Sequence, residues 1–267
     1  MSALTYTVSD SRTMLRRNLR RLRRYPSLTL MLVGMPIVFL LLFVYVFGGQ
    51  LGDGLSSALA GGHSGRGGYL NYVTPGILLM TVAAAVQGTA IVVAMDMTGG
   101  IIDRLRTMAI ARSAVLTGHV LATMIQTLAS IVVVTGVAIA LGFRPTADAL
   151  HWLAATGLIA LFAFALIWLA TALGLAAKSV ETASNTPMFL TFLPFLGSGF
   201  VPTATMPAGL RQFAEYQPFT PITETLRGLL TGTHIGTNGV FAVAWSVGIA
   251  LASYLWARHL YAARRAG

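Results

Sequence analysis

The chain alternates between long apolar stretches and shorter polar segments, and six apolar stretches are candidate membrane spans, since a transmembrane helix needs about 20 predominantly apolar residues. The fifth stretch is short and contains two prolines and two glycines, Pro187, Pro194, Gly197 and Gly199. We therefore expect a kinked or half-entering element there. A Gly/Ser-rich stretch, residues 48–68, is expected to form a flexible loop. The predicted fold is an all-α polytopic membrane protein with six transmembrane helices: residues 27–47, 73–95, 115–141, 153–176, 185–201 and 239–257.

The composition places this chain in a bilayer. Apolar residues make up 55% and charged residues 10% of the 267 residues, and the mean hydropathy is +0.74. A soluble domain has about 25% charged residues, so this chain cannot cover itself with a charged surface. Intrinsic disorder, a disulfide-stabilised secreted domain and a cytosolic enzyme are excluded. The lack of cysteine excludes thiolate catalysis, thiolate metal sites and redox switching.

The basic residues indicate an orientation in the membrane. A net charge of +10 would suit nucleic-acid binding in a soluble protein, but in a membrane protein Lys and Arg first of all set the topology. With the N-terminus inside, fourteen of the 18 Lys and Arg residues fall in inside segments and four fall outside. We predict an N-in/C-in, multi-pass protein of the bacterial plasma (inner) membrane, with both termini cytoplasmic and no nucleic-acid partner.

Residues 11–25 have the periodicity of an amphipathic helix. Leu15, Leu19 and Leu22 share one face, and six arginines occupy the rest of the circumference. Such a helix lies in the cytoplasmic interface of the bilayer, among anionic headgroups. It serves either as a topology anchor alone or also as a contact for a cytoplasmic partner. The predicted organisation is a cytoplasmic amphipathic helix over residues 1–26, a transmembrane domain over residues 27–257 and a cytoplasmic basic tail over residues 258–267.

The loop between the second and third predicted spans combines basic residues with an apolar ridge. Gly99 and Gly100 interrupt the long helix. After them Ile101, Leu105 and Met108 fall at positions i, i+4 and i+7. Arginines lie around the ridge: Arg104, Arg106 and Arg112. Such a helix suits insertion into a groove of another protein, whereas a plain positive-inside loop needs the arginines but no ridge. Both interpretations stay open.

Polar residues form a stripe on one face of the third predicted span: His119, Thr123, Gln126, Thr127 and Ser130. Gln87 in the second span and Thr191 and Ser198 in the fifth add further polar groups. Polar side chains in a span turn towards protein or a wet cavity. These side chains either form hydrogen bonds between packed helices, each of which stabilises the packing by roughly 1 kcal/mol, or line a substrate pathway.

The segment between the fifth and sixth spans, residues 202–238, contains two amphipathic runs. These cover residues 208–216 and 222–230, and Glu224 can pair with Arg227 at i, i+3. The pattern predicts short helices at or dipping into the outer leaflet, before the last span.

Several kinds of site chemistry are missing from the sequence. The carboxylates lie at span ends or in loops, which disfavours ion coupling. No His-Glu-x-x-His motif supports intramembrane metalloproteolysis, and the surroundings of Lys178 lack the Gly-x-x-x-x-Gly-Lys spacing that wraps phosphates. What is left is a passive pore, a membrane enzyme or a subunit powered by another protein, and the predicted docking helix favours the last.

The whole chain resembles the ABC-2 type permeases, in particular membrane subunits similar to the daunorubicin-resistance exporter. The N-terminal half shares Phe47-Gly48-Gly49, Pro75-Gly76 and Arg104-x-Arg-x-Met108-x-Ile-x-Arg112 with Leu116 and Gly118. The C-terminal half shares Phe200-Val-Pro202, Met206-Pro207, Leu210, Phe213, Gln217-Pro218, Pro221 and Leu226-Arg227. One departure is Ala109, where such proteins often have proline.

The resemblance implies a half-transporter, in which two permease chains, a homodimer in the simplest case, join two separate ABC-type ATP-binding subunits. ATP and Mg²⁺ would then bind the partner subunits, and this chain would be neither an enzyme nor the holder of a cofactor or metal. It also implies that the loop between spans two and three is the coupling helix, and that the helices after span five are the outer re-entrant element. The substrate class would be an amphipathic drug or antibiotic, or a lipid-like molecule, crossing at the permease dimer interface.

Two other classes of function stay open on the sequence. A membrane enzyme acting on lipid-linked substrates could use His63, His234 or Glu224, although these residues form no clustered acid/base pair. An ion-coupled secondary transporter is the other alternative.

Overall fold

The computed structural model describes residues 26–58, 65–98 and 112–263, together with Arg16. The predicted N-terminal amphipathic helix, apart from Arg16, lies outside the described residues, as does His63. The same holds for most of the predicted docking helix, namely Ile101, Arg104, Leu105, Arg106 and Met108. Arg112 is the first residue of a helix.

The described residues form helices, turns and bends, with no strand among them. The first span begins as α1, Pro26–Leu41, passes through a π-helical turn, Leu42–Phe47, and continues as α2, Gly48–Ala58. The other long helices are α3, Gly65–Thr98, α4, Arg112–Ala140, α5, Ala149–Ala176, and the last one, Asn238–Ala263. Within the described part of the chain, five helical stretches are long and apolar enough to cross a membrane.

Short helices occupy the region between α5 and the last helix. They are α6, Val180–Asn185, α7, Met188–Phe192, a 3₁₀ turn, Leu193–Leu196, a second one, Thr203–Thr205, α8, Ala208–Tyr216, and α9, Phe219–Thr231; the last helix is therefore α10. Both amphipathic runs predicted in the outer segment are helical.

The fifth predicted span, residues 185–201, is not one continuous helix, and we call it the broken segment. Pro187 separates α6 from α7, Pro194 lies in the 3₁₀ turn, and Gly197 has an extended backbone. Proline supplies no N–H for a helical hydrogen bond, so the break falls where the sequence predicts it. A sixth crossing of the membrane stays a prediction.

The expectation of a flexible loop over residues 48–68 is wrong for residues 48–58 and 65–68, which are helical. The Gly-rich composition permits close packing here instead of a loop: a Cβ added at Gly52 would lie 2.3 Å from the carbonyl oxygen of Gly65. α3 also begins eight residues before the predicted span, because Tyr69 and Leu70 are buried in the core. α10 likewise extends beyond the predicted end at residue 257, to Ala263.

α3 and α5 form the centre of the bundle. Their apolar stretches are 72% buried, against 22–33% for the first span, α4 and α10. α3 packs against α1, α2, α4, α5, α6 and α9, while α10 packs against α5 and α9. Gly174 allows α5 to approach α3, since a Cβ there would lie 2.7 Å from the Ala90 carbonyl oxygen. The exposed apolar faces of α1, α4 and α10 suit contact with lipid or another chain.

A hydrogen-bonded cap fixes the start of α5. The backbone N–H of His151 donates to the Asp148 carboxylate over 2.8 Å. That bond, together with a contact from the His151 imidazole, lowers the pKa of Asp148 below its ordinary value. An aspartate at this position also complements the positive end of the helix dipole.

Candidate functional site

The break in residues 185–201 leaves backbone groups that a continuous helix would have paired. Side chains of Gln217, at the end of α8, and of α9 satisfy two of them. Gln217 donates from Nε2 to the carbonyl oxygen of Leu193 over 3.2 Å. The backbone N–H of Ser198 donates to the hydroxyl of Thr220 over 3.2 Å. Because a bilayer offers no water to free backbone groups, irregular backbone at membrane depth is tolerated only with such partners.

Arg227 of α9 holds the broken segment from the other side. Its guanidinium is 93% buried, donates to the Ser198 carbonyl over 2.7 Å and to the Tyr72 carbonyl over 3.2 Å, and forms an ion pair with Glu224. The guanidinium carbon lies 3.7 Å from the centre of the Tyr72 ring. One charged group therefore joins α9, α3 and the broken segment, with the stacking that arginine favours.

Two further contacts fasten the broken segment to α3. Gly76 and Gly199 meet backbone to backbone: a Cβ added at Gly76 would lie 2.5 Å from the Gly199 carbonyl oxygen. The Tyr69 hydroxyl donates to the Phe200 carbonyl over 3.1 Å. Phe200 also stacks on Phe195, with ring centres 4.6 Å apart. These contacts fasten the C-terminal end of the broken segment to α3.

A second polar centre lies at the opposite end of α3. His119 Nε2 of α4 and Asp96 Oδ2 of α3 are 2.8 Å apart, and the two residues are 7% and 3% exposed. Both fall inside the candidate spans Gly65–Met97 and Thr117–Ala140. Asp96 therefore lies at a span end, as predicted, but it is buried against an imidazole from the neighbouring helix.

The other predicted pathway residues do not form one cluster. Gln87 donates to the Ser184 carbonyl over 3.2 Å, so it links α3 to α6. Ser130 donates to the Gln126 carbonyl of its own helix, and Thr123 is half-buried.

Three hydroxyls of the predicted polar set are buried and make no hydrogen bond with other described residues: Thr127, Thr191 and Ser198. An unpaired buried hydroxyl costs roughly 1–3 kcal/mol. Within the described residues these three hydroxyls link no helices, whereas Gln87 and His119 do. Both interpretations of the polar set, packing and substrate pathway, stay predictions.

The predicted pathway set omits Arg227 and Asp96, the two charged residues on which the polar contacts converge. The spacing of Glu224 and Arg227, three residues apart, indicates their ion pair. The contacts of Arg227 with Tyr72 and Ser198 join residues that are 155 and 29 positions apart, so the sequence does not indicate them. Of the residues suggested for a lipid enzyme, His63 lies outside the described residues, His234 is exposed and Glu224 pairs with Arg227. The described residues contain no cluster of three or more His, Asp or Glu side chains suited to a metal ion.

These features define a multi-pass helical membrane protein in which a broken, side-chain-supported segment precedes the last helix. Residues 10–231 match the ABC-2 type transporter family, and the chain belongs to that family. It is therefore of the permease class of ABC transporters. The resemblance found in the sequence is confirmed.

Relatives of this chain carry drug-resistance names. It is 28% identical over 245 residues to the daunorubicin resistance ABC transporter permease protein DrrB1 of Streptomyces coeruleorubidus, covering 91% of this chain and 80% of the relative. It is 24% identical over 178 residues to the probable doxorubicin resistance ABC transporter permease protein DrrC of Mycobacterium tuberculosis, covering 64% of this chain and 63% of that relative.

Proposed function

We propose that this chain is the membrane-spanning subunit of an ATP-driven exporter that moves an amphipathic drug or antibiotic, or a lipid-like molecule, across the bacterial plasma membrane. The match of residues 10–231 to the ABC-2 family is the observation that carries the proposal. The names of the relatives, which refer to resistance to daunorubicin and doxorubicin, support a drug or antibiotic as the substrate.

The energy source is a separate ABC-type ATP-binding subunit, present in two copies. The sequence has no phosphate-wrapping motif, so ATP and Mg²⁺ belong on that partner and this chain contributes no catalytic residue, cofactor or metal. Membership of the ABC-2 family supports the presence of a separate ATP-binding partner. The apolar faces that α1, α4 and α10 expose supply surface for a second permease chain as well as for lipid.

Residues 99–111 couple the two subunits. The apolar ridge of Ile101, Leu105 and Met108 enters a groove of the ATP-binding subunit, and arginines flank it: Arg104, Arg106 and Arg112. This loop joins α3, which packs against most of the other helices, to α4. A movement of the loop is therefore transmitted to the core of the bundle through α3. The charge distribution supports its cytoplasmic location and that of both termini.

The substrate path follows the broken segment and α4. The unpaired hydroxyls of Thr191 and Ser198 support this, together with the half-buried Thr123 and Gln126. Gln87 and Ser130 border the path, and His119 belongs to it only through its position on the stripe.

Substitution of Leu105 tests the coupling assignment. Leu105→Glu places a carboxylate on the apolar ridge, and we expect the protein to reach the membrane while substrate moved per ATP hydrolysed falls at least about tenfold, because a docking anchor is lost. Thr107→Glu places the same group on the opposite face by helical periodicity and should transport normally. Unchanged transport by Leu105→Glu, with the partner present, would remove the coupling role.

A proton-coupled transporter is the second candidate, because Asp96 and His119 form a buried titratable pair inside the candidate spans. The two functions differ in energy source. Transport that survives ATP depletion and stops when the proton gradient is collapsed would favour the second.

A further inference from the structure

Asp96 and His119 contact each other at the base of the loop that joins α3 to α4. Asp96 lies near the end of α3 and His119 lies two turns into α4, so they flank residues 99–111 on both sides. Their side chains are 2.8 Å apart and both residues are more than nine-tenths buried. The contact thus ties together the two helix ends from which this loop departs.

Neighbouring polar side chains on the same helices behave differently. Thr89, two turns before Asp96 on the same face of α3, donates to the Ala85 carbonyl of its own helix over 2.8 Å. Ser130 of α4 likewise bonds within its own helix. Such bonds satisfy a hydroxyl without linking helices, whereas the Asp96–His119 contact reaches from one helix to the next.

A pair of this kind is costly to place in a span. Removing a carboxylate and an imidazole from water carries a large desolvation penalty, and apolar residues of similar volume often give equal or greater stability. Stability alone therefore does not account for the pair. Its role as a fixed link between the two helices that flank the loop would account for it.

We propose that Asp96 and His119 are positioning residues for energy coupling: their contact makes the ends of α3 and α4 move as one unit when the ATP-binding subunit acts on residues 99–111. The inference rests on the proposed function. Without the pair, movement of the loop would displace one helix relative to the other instead of moving the ends of α3 and α4 together.

Replacement by apolar residues separates positioning from stability. The variants are Asp96→Val, His119→Leu and the double variant, with Thr89→Val as the matched control, and each is purified with its ATP-binding subunit. Each single change leaves the other member of the pair buried without its contact and should lower the thermal unfolding midpoint, whereas the double variant should lose less than the sum of the two single changes. Substrate moved per ATP hydrolysed should fall roughly three- to thirtyfold in all three and stay normal in Thr89→Val.

The double variant decides the result. Recovery of both the unfolding midpoint and the coupling ratio would show a purely structural pair and overturn the inference. A wild-type complex in which ATP drives no transport would instead overturn the proposed function, and the inference with it.

A second measurement needs no change at the pair itself. The chain has no cysteine, so spin labels can be attached to Met95→Cys of α3 and Leu121→Cys of α4, both exposed positions. In the complex, the distance between the labels should be the same with and without ATP. A shift of about 5 Å, one helical turn, would show that the two ends move independently and would contradict the proposal.

Discussion

Two arginine–glutamate pairs near the broken segment differ in burial although both lie within short helices. Arg227 and Glu224 have side chains 7% and 31% exposed, whereas Arg211 and Glu215 are 50% and 38% exposed. The first guanidinium also holds two backbone carbonyls from other elements. The local spacing of an Arg–Glu pair therefore does not reveal how much the arginine contributes to the stability of the fold.

Arg227→Met should lower the free energy of unfolding by roughly 2–4 kcal/mol, because the Ser198 and Tyr72 carbonyls lose a charged donor and Glu224 loses its partner. Arg211→Met, the matched control, should change it by less than about 1 kcal/mol, as is usual for exposed pairs. Thermal unfolding in detergent measures both. Equal effects of the two substitutions would show that the buried hydrogen bonds contribute little.

At the scale of elements, the contact between α3 and the broken segment depends on two glycines. A Cβ at Gly76 would lie 2.5 Å from the Gly199 carbonyl oxygen, closer than real Cβ atoms approach other atoms. Gly88, in the same helix α3, has nothing within 4 Å of such a Cβ. One helix thus offers a glycine that packing requires and one that it does not.

Gly76→Ala should destabilise the protein by roughly 1–3 kcal/mol through overpacking. Gly88→Ala should be neutral or stabilising by about 0.5–1 kcal/mol, since alanine is the better helix former. The unfolding midpoints of the two variants, measured side by side, test this. If Gly76→Ala proved as stable as Gly88→Ala, the two elements would not be in backbone contact.

The hydrophobic pattern predicted the long helices and the break well, because length and the positions of proline are local properties. It missed the helix over residues 48–58, because its glycines are typical of a loop. One of them, Gly52, instead allows close packing against Gly65. It also missed the roles of Asp96 and Arg227. Apart from Glu224, which spacing indicates, the partners of these two residues described above lie 23 or more residues away, and helix packing brings them together.

At the scale of the whole molecule, the distribution of positive charge assigns opposite sides to two exposed positions. Lys178 follows α5 and Thr233 follows α9, and both are exposed. The N-in/C-in prediction puts the first inside and the second outside.

Single cysteines test this orientation on the cysteine-free chain. In intact cells, a membrane-impermeant thiol reagent should label Thr233→Cys and should label Lys178→Cys only after the membrane is opened. The reverse pattern would invert the topology and move residues 99–111 away from any cytoplasmic partner.

ATP-driven transport in proteoliposomes tests the central claim most directly. The chain is reconstituted with its co-purified ATP-binding subunit, and daunorubicin is the probe, because a relative is named for resistance to it. We expect uptake of daunorubicin into those proteoliposomes in which the ATP-binding subunit faces outwards. This uptake should require ATP and Mg²⁺ and should persist when the proton gradient is collapsed. A chain that purifies without an ATP-binding subunit, or whose transport ignores ATP and stops with the gradient, would contradict the account.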